Sequence, residues 1–429
     1  MTNSLFFYVL TLPMGKHYII IEYFFRRICM FSLKNKVDIN LKNAINSKLY
    51  KNYRVIIHCK TLKDKIEKKL QRYKCEIIRS IPSIGCICAY VSPSVIERII
   101  EYPQVDYIFF DSYAFLCGNN SILSSNGIFF DINSKLSGKD VCIGIVDSGT
   151  YPHADLKKPL DKIAHFKDLL NDFNYPYDDN GHGTFISGLI CSNGYSSEGV
   201  YKGVAPRSKI YMVKAFNSAS RGFISDILFG IDLLINESEE YGIKVICLPF
   251  EIVEYNEFVL SLFSRLFDIA VEKNITVVVP SGHNGNVDNS LTGIGLLKNC
   301  ITVGGLDTTK GKQPYIMSSA GSNTKLEKPD LCAACVDICS LNCDVNYISE
   351  RNGHKLYPRP LKEPYTFFTG TSCACAYISG ICALLYESNP SLTYKDVSSL
   401  LKMSCNLLDM PKPIQGCGIV DIHKLFSPK

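Results

Sequence analysis

Residues 140–149 read DVCIGIVDSG, an unbroken run of apolar residues and one glycine between two aspartates. A strand with one wet face alternates polar and apolar side chains; this run does not, so both of its faces must be covered. The same pattern recurs in KIYMVKAF (209–216), KVICLPF (244–250), ITVVVPSG (275–282) and CITVGGL (300–306). Between these runs lie helical patterns such as SDILFGIDLLINESEEYG (225–242) and FVLSLFSRLFDIAVEKN (258–274). Buried strands alternating with helices predict an α/β domain around a doubly wound, mostly parallel sheet.

Working toward the N-terminus, YRVIIHC (53–59), LKDKIEKKLQRY (62–73), CEIIRSI (75–81), GCICAYV (85–91), SPSVIERIIEY (92–102) and VDYIFF (105–110) follow the order βαββαβ. That order predicts a small ferredoxin-like α+β unit, an arrangement that specifies no function by itself. The stretch CGNNSILSSNG (117–127) has the composition of an exposed linker. The chain therefore divides into an extension over 1–50, a small unit over 51–116 and the large domain over 117–429. Within the extension, SLFFYVLTLP (4–13) and HYIIIEYFF (17–25) are each too short to span a bilayer, and no small-residue cleavage site follows them. Met30 offers an alternative start. The expectation is a protein without a membrane span, in the cytoplasm, a spore or another internal compartment.

Composition narrows the partners. Among 429 residues, 46 basic and 41 acidic side chains are interspersed, with a net charge of +5, and no basic stripe marks a nucleic-acid site. The 19 cysteines are an odd number and sit mainly inside apolar runs, which points to free thiols in a reducing compartment. The spacing of Cys332, Cys335, Cys339 and Cys343 raises a zinc reading, but lacks the paired knuckles of structural zinc sites, and no metal is expected.

In a doubly wound sheet, reactive groups collect at the carboxyl ends of strands. The first run delivers Asp147 to that edge. In NGHGTFISGLI (180–190), His182 stands between glycines at the start of a helix, and in GTSCACAYISG (370–380), Ser372 follows Gly370 and Thr371 before an apolar run. Thr371 or Ser372 could equally be a helix cap. Serine nucleophiles need a base to take the proton and a third group to orient that base. Asp147, His182 and Ser372 supply those three chemistries.

These segments, with KGVAPRSKIYMVKAF (202–216) and the flank of the serine as far as SNPSLT, resemble the subtilisin-like serine peptidases, in which the chain order is also Asp, His, Ser. The resemblance runs from about Asp147 to the C-terminus. It implies a serine endopeptidase acting on proteins or peptides, with Asp147 orienting, His182 as base then acid, and Ser372 attacking. It also implies that 51–116 corresponds to an inhibitory propeptide whose tail, SYAFLCG (112–118), lies in the substrate groove, with self-cleavage near Leu116 to Asn119. No cofactor is required; calcium sites are frequent in the family, and no carboxylate-rich loop here identifies one.

Two departures stand out. Where the family carries an asparagine that donates to the oxyanion, VVVPSGHNGN (277–286) places His283, with Asn284 one position later. One groove wall reads Pro249, Phe250, Glu251 where the family has Ser-Leu-Gly, and Ser281 and Gly282 form the adjoining wall. Glu251 there implies a narrowed pocket that favours small or basic side chains, or a closed groove. The opposite groove strand corresponds to Ser220, Arg221 and Gly222, with Arg221 read as a solvated surface side chain and, as the alternative, a selector of acidic residues a few positions before the cut. His153, Asp155, Tyr151 and Asp179 are read as structural. The departures keep a non-catalytic alternative open, a regulatory pseudopeptidase holding its own tail or a partner in the groove. An esterase or transpeptidase built on the same triad has no specific feature in its favour.

Overall fold

The computed structural model describes residues 36–46, 48, 50–116, 136–252, 256–309, 311–322 and 325–426. The expected linker, the self-cleavage junction beyond Leu116 and the two apolar runs near the N-terminus lie outside the described residues. The chain forms two units, divided between Asp111 and Ser112.

The first unit begins with α1 (Ile39–Asn46) and continues as β1 (Tyr53–Cys59), α2 (Lys63–Arg72), β2 (Glu76–Ile81), β3 (Cys86–Val91), α3 (Pro93–Ile99) and β4 (Val105–Phe110). The strands form an antiparallel sheet in the order β2-β3-β1-β4, as a ferredoxin-like unit requires. The core explains the pattern. Ile66 and Leu70, one turn apart on α2, and Ile96 and Ile99 on α3 bury against Val55, Ile57, Ile87 and Ala89. Leu41 and Ala44 of α1 join this same core, so the end of the expected 1–50 extension is an integral part of the unit. Its one apolar stripe is only two turns long, too short for periodicity to mark a helix.

The second unit contains β5 (Tyr113–Leu116), β6 (Cys142–Asp147), β7 (Ile163–Asp168), α4 (His182–Cys191), β8 (Lys209–Lys214), β9 (Arg221–Phe223), α5 (Ile224–Asn236), β10 (Ile243–Cys247), β11 (Phe250–Glu251) and α6 (Glu257–Glu272). It continues with β12 (Thr276–Pro280), β13 (Ile301–Asp307), β14 (Leu331–Ala334), α7 (Thr371–Ser388), α8 (Tyr394–Ser404) and β15 (Ile419–Val420). Eight of these strands run parallel in the order β15-β14-β13-β12-β10-β6-β8-β7, within a ten-stranded sheet. Successive residues of β6 serve opposite faces: Ile143 and Ile145 enter the core shared with α4 and α7, whereas Gly144 faces Leu234 of α5 and Val146 faces Gly230 of the same helix. Both faces are covered, as the apolar strands require.

Helix α7 runs through this core with every residue from Thr371 to Tyr386 buried. Its small and thiol side chains, Cys373 to Ala376, allow close approach by strands on one side and α4 on the other. The four cysteines of the zinc reading are free thiols, with Cys332, Cys335 and Cys339 buried, and among the described residues no group of histidines, cysteines and carboxylates is arranged to hold a metal. No described helix is long and apolar enough to cross a membrane.

Candidate active site

Asp147 is the last residue of β6, and the chain leaves the sheet there through Ser148 and Gly149. His182 is the first residue of α4, capped by Gly181 in the left-handed region, where φ is 101°. The two side chains meet: Nδ1 of His182 lies 2.9 Å from both carboxylate oxygens of Asp147. Both groups are buried, and the carboxylate also accepts the Ser148 N–H at 2.6 Å. The approach depends on Gly183, where an added Cβ would stand 2.1 Å from the carbonyl oxygen of Gly149. A side chain there would push α4 away from β6 and part the carboxylate from the imidazole.

A second polar layer lies behind this pair. Asp178 is fully buried and accepts hydrogen bonds from the Ser148 hydroxyl, the Gly181 N–H, and both the N–H and hydroxyl of Thr184. Burial, the largest influence, pushes its carboxyl up, but the Lys214 ammonium and these donors outweigh it and hold the group below its ordinary range. Lys214, also fully buried, is the register partner of Asp147 on β8 and donates to the Ser148 carbonyl, the Phe216 carbonyl and the Asp179 carboxylate. The Ser148–Gly149 turn is thereby pinned from two sides. Asp179, expected to be a structural loop residue, is the partner of that ammonium. Asp178 and Lys214 are absent from the residues that the sequence marks as the site. The available signal is a lysine inside the apolar run KIYMVKAF, a position that demands a buried partner.

Ser372 is the second residue of α7. Helix N-capping falls to Gly370, with no side-chain cap, and the Ser372 hydroxyl instead donates to the Pro249 carbonyl at 2.8 Å. The capping alternative is therefore corrected for both residues: Thr371 donates its hydroxyl to the Gly282 carbonyl at 3.3 Å. Burial pushes the neighbouring Cys373 thiol well up, which removes it as a competing thiolate nucleophile.

The groove walls are brought together by a three-stranded antiparallel sheet in the order β11-β5-β9. Its middle strand is the chain's own segment 113–116, paired with Phe223, Gly222 and Arg221 on one side and with Phe250 and Glu251 on the other. These ladders place 112–116 in the second unit, ahead of the boundary expected at 117. Pro249 contributes no N–H to them; it separates β10 from β11. Phe250 is buried against Phe216 and offers backbone only. Gly222 has no room for a side chain beside the Ala215 carbonyl, and Ser220, at φ 59°, accepts the Asn180 amide at 2.8 Å. Arg221 is exposed at the groove edge.

The oxyanion candidates separate clearly. Asn284 is exposed and commits its amide to the Ser290 carbonyl at 3.2 Å and the Thr292 hydroxyl at 3.1 Å. Both of its amide donors are thus engaged within its own loop region, with no bond directed to the nucleophile among the described residues. His283 keeps a buried Nδ1 with no hydrogen-bond partner among the described residues, and its backbone N–H donates to Glu251 Oε2 at 2.9 Å. Burial raises the Glu251 carboxyl above its ordinary value, with the His283 donor opposing. Ser281 is buried, pairs its hydroxyl with Ser318 at 3.0 Å and supports the wall from behind.

Residues 138–418 match the sequence model of the subtilase family. The chain belongs to the subtilase family. It is similar to the serine protease AprX of Bacillus subtilis, with 30% identity over 367 residues covering 82% of this chain and 81% of that protein. Subtilisin DY of Bacillus licheniformis is 26% identical over 67% of this chain and 90% of its own length. Among solved structures, fervidolysin from Fervidobacterium pennivorans superposes with a TM-score of 0.69 at 15% identity, covering 89% of this chain and 61% of that one. That likeness establishes the subtilisin-like fold. Asp147, His182 and Ser372 all fall within the matched subtilase region.

Proposed function

We propose that this subtilase is a serine endopeptidase that hydrolyses peptide bonds through an acyl-enzyme. The observation that carries the reading is the double contact of a buried Asp147 carboxylate with His182 Nδ1. It fixes the tautomer with the proton on Nδ1, leaving Nε2 as the base. In the first step Ser372 Oγ bonds to the substrate carbonyl carbon while its proton passes to Nε2. Collapse of the tetrahedral intermediate breaks the C–N bond, and the proton moves on to the leaving amine. Water then repeats the sequence, releasing the acid and restoring the serine. The oxyanion is received by the Ser372 backbone N–H and by the His283 ring, whose buried Nδ1 has a hydrogen-bonding capacity that the fold does not use.

The substrate is an extended peptide segment. The pairing of 113–116 between β9 and β11 supports this, because it is how such a segment would bind by strand addition. The same pairing supports an autoinhibited resting state, with the first unit acting as a propeptide released by cleavage beyond Leu116. It also supports the regulatory alternative, in which the groove only holds a strand. Hydrolysis by this triad requires no cofactor. A reducing internal compartment is consistent with the 17 free cysteines among the described residues.

A fluorophosphonate probe followed by peptide mapping separates the two readings. Labelling confined to Ser372, and absent in Ser372→Ala, is the result expected of the peptidase. No labelling, even after limited proteolysis removes residues 1 to about 117, would establish the regulatory protein instead.

A further inference from the structure

We infer that Glu251 sets which side chain can precede the scissile bond, holding that position to small residues by strapping together the two groove walls beside Ser372. The inference rests on the peptidase reading and adds a selectivity to it.

Both walls are anchored to the first turn of α7. Ser372 Oγ donates to the Pro249 carbonyl at 2.8 Å, and Thr371 Oγ1 donates to the Gly282 carbonyl at 3.3 Å. The Glu251 side chain leaves the first wall and ends on the second, where Oε2 accepts the His283 N–H at 2.9 Å. The same oxygen lies 2.7 Å from where a Cβ on Gly282 would stand. The interval between the walls is thus crossed by a carboxyl group, and Gly282, at φ 98°, is the residue that makes room for it.

The register of β5 shows what must share that interval. Phe115 stands opposite Glu251 and Leu116 opposite Phe250, antiparallel, so a peptide in this track next reaches Pro249. The Pro249 carbonyl is the one bonded to Ser372, so the residue opposite Pro249 carries the carbonyl presented to the nucleophile. Directly opposed residues of an antiparallel ladder project to the same face, and positions two apart share that face. The side chain of the residue before the cut therefore projects on the face that Glu251 uses. A methyl or hydroxymethyl group fits beside the strap. A larger group must displace the carboxyl from the His283 N–H, and burial already disfavours its ionised form. An acidic residue would add a like charge.

Glu251→Gln keeps the volume and an oxygen acceptor for the His283 N–H while removing the charge; Glu251→Gly removes the strap. The full chain and both variants would be activated by the same limited proteolysis and labelled with the fluorophosphonate. Each would then digest a mixture of peptides with every residue type before the cleavable bond, read by mass spectrometry. The expected wild-type products end in Gly, Ala, Ser or Cys, and Glu251→Gln retains that preference. Glu251→Gly should raise kcat/KM for Leu or Phe at that position roughly 10- to 100-fold, the scale of filling or emptying an apolar pocket. Its kcat on an Ala substrate should fall, because the His283 N–H loses its anchor. A labelled Glu251→Gly with unchanged preference overturns the inference and leaves the peptidase reading intact. Wild-type preference for Lys or Arg, lost in Glu251→Gln, overturns it in favour of charge selection. Unlabelled Ser372 in all three proteins overturns both readings.

Discussion

The Asp147–His182 corner and the Glu251–His283 corner are built differently. At the first, a buried carboxylate holds an imidazole through both oxygens while a second buried layer, Asp178 and Lys214, pins the turn behind it. Each polar group of that layer has several protein partners. At the second, Glu251 is bound by a single backbone donor and the Nδ1 of His283 is buried without a partner among the described residues. The layer behind the first corner, with its carboxylate and ammonium fully engaged, holds the Ser148–Gly149 turn in one geometry. The second corner has capacity left for the substrate, and it is here that the chain departs from the residues its family resemblance implies. This subtilase has room to vary on the Glu251 side, because the Asp147–His182 side is locked from behind and the other is not.

The largest test strikes the first corner. Ser372→Ala should lower kcat on the order of 10⁶-fold, and Asp147→Asn on the order of 10⁴-fold, by leaving His182 in the wrong tautomer. The first magnitude is the scale measured for another member of this family, subtilisin. Both are read as initial rates on a peptide substrate after activation. If Asp147→Asn cost less than tenfold, the double contact to Nδ1 would not orient the base and the contrast would collapse.

The second corner should give a smaller effect. On the proposed reading His283→Ala removes one of two oxyanion donors and should cost roughly 10²- to 10³-fold in kcat with little change in KM, again a scale measured within this family. A loss expressed wholly in KM would mean that His283 touches the substrate ground state and does not receive the oxyanion.

The layer behind the first corner answers in stability. Lys214→Met leaves buried acceptors unpaired and should cost about 3 kcal/mol; that is the low end for a broken buried pair, since Asp179 keeps 30% of its side chain in water. Urea unfolding of the variant reads it. The same layer imposes an acid limit. Because the folded state holds the Asp178 carboxyl below its ordinary value of 3.8, its contribution is fully present above that value and is lost as pH falls through the lower folded-state value. Asp178→Asn should lower stability at neutral pH and flatten this part of the acid transition.

The two corners are also unequally legible in the sequence. Asp147, His182 and Ser372 each sit near glycine where an apolar run or helix begins or ends, and it is the conjunction of the three, more than any one local pattern, that marks them. The βαββαβ order of the first unit is readable for the same reason, whereas the placing of 112–118 in the groove comes only from the family resemblance. Lys214 and Asp178 carry no such punctuation. Their importance comes from contacts across 66 and 30 residues of chain, to Ser148, that no local pattern encodes. The choice between His283 and Asn284 is equally closed to sequence, because adjacent residues in one loop differ only in where the loop turns each side chain.

The smallest effect is expected at Asn284. Asn284 spends both amide bonds on the Ser290 carbonyl and the Thr292 hydroxyl, on the exposed side of its loop. Asn284→Ala removes two exposed hydrogen bonds, each worth about 0.5–1.5 kcal/mol net, and should change kcat less than about twofold. Its loop would loosen, so a small fall in stability without a fall in rate is the expected pattern. Set beside His283→Ala, the pair reads the loop's orientation directly. If Asn284→Ala proved as slow as His283→Ala, the loop would have to turn over when substrate binds, exchanging the two side chains. The substrate corner would then differ from its neighbour in mobility, because Glu251 would have to release the His283 N–H for that turn to occur.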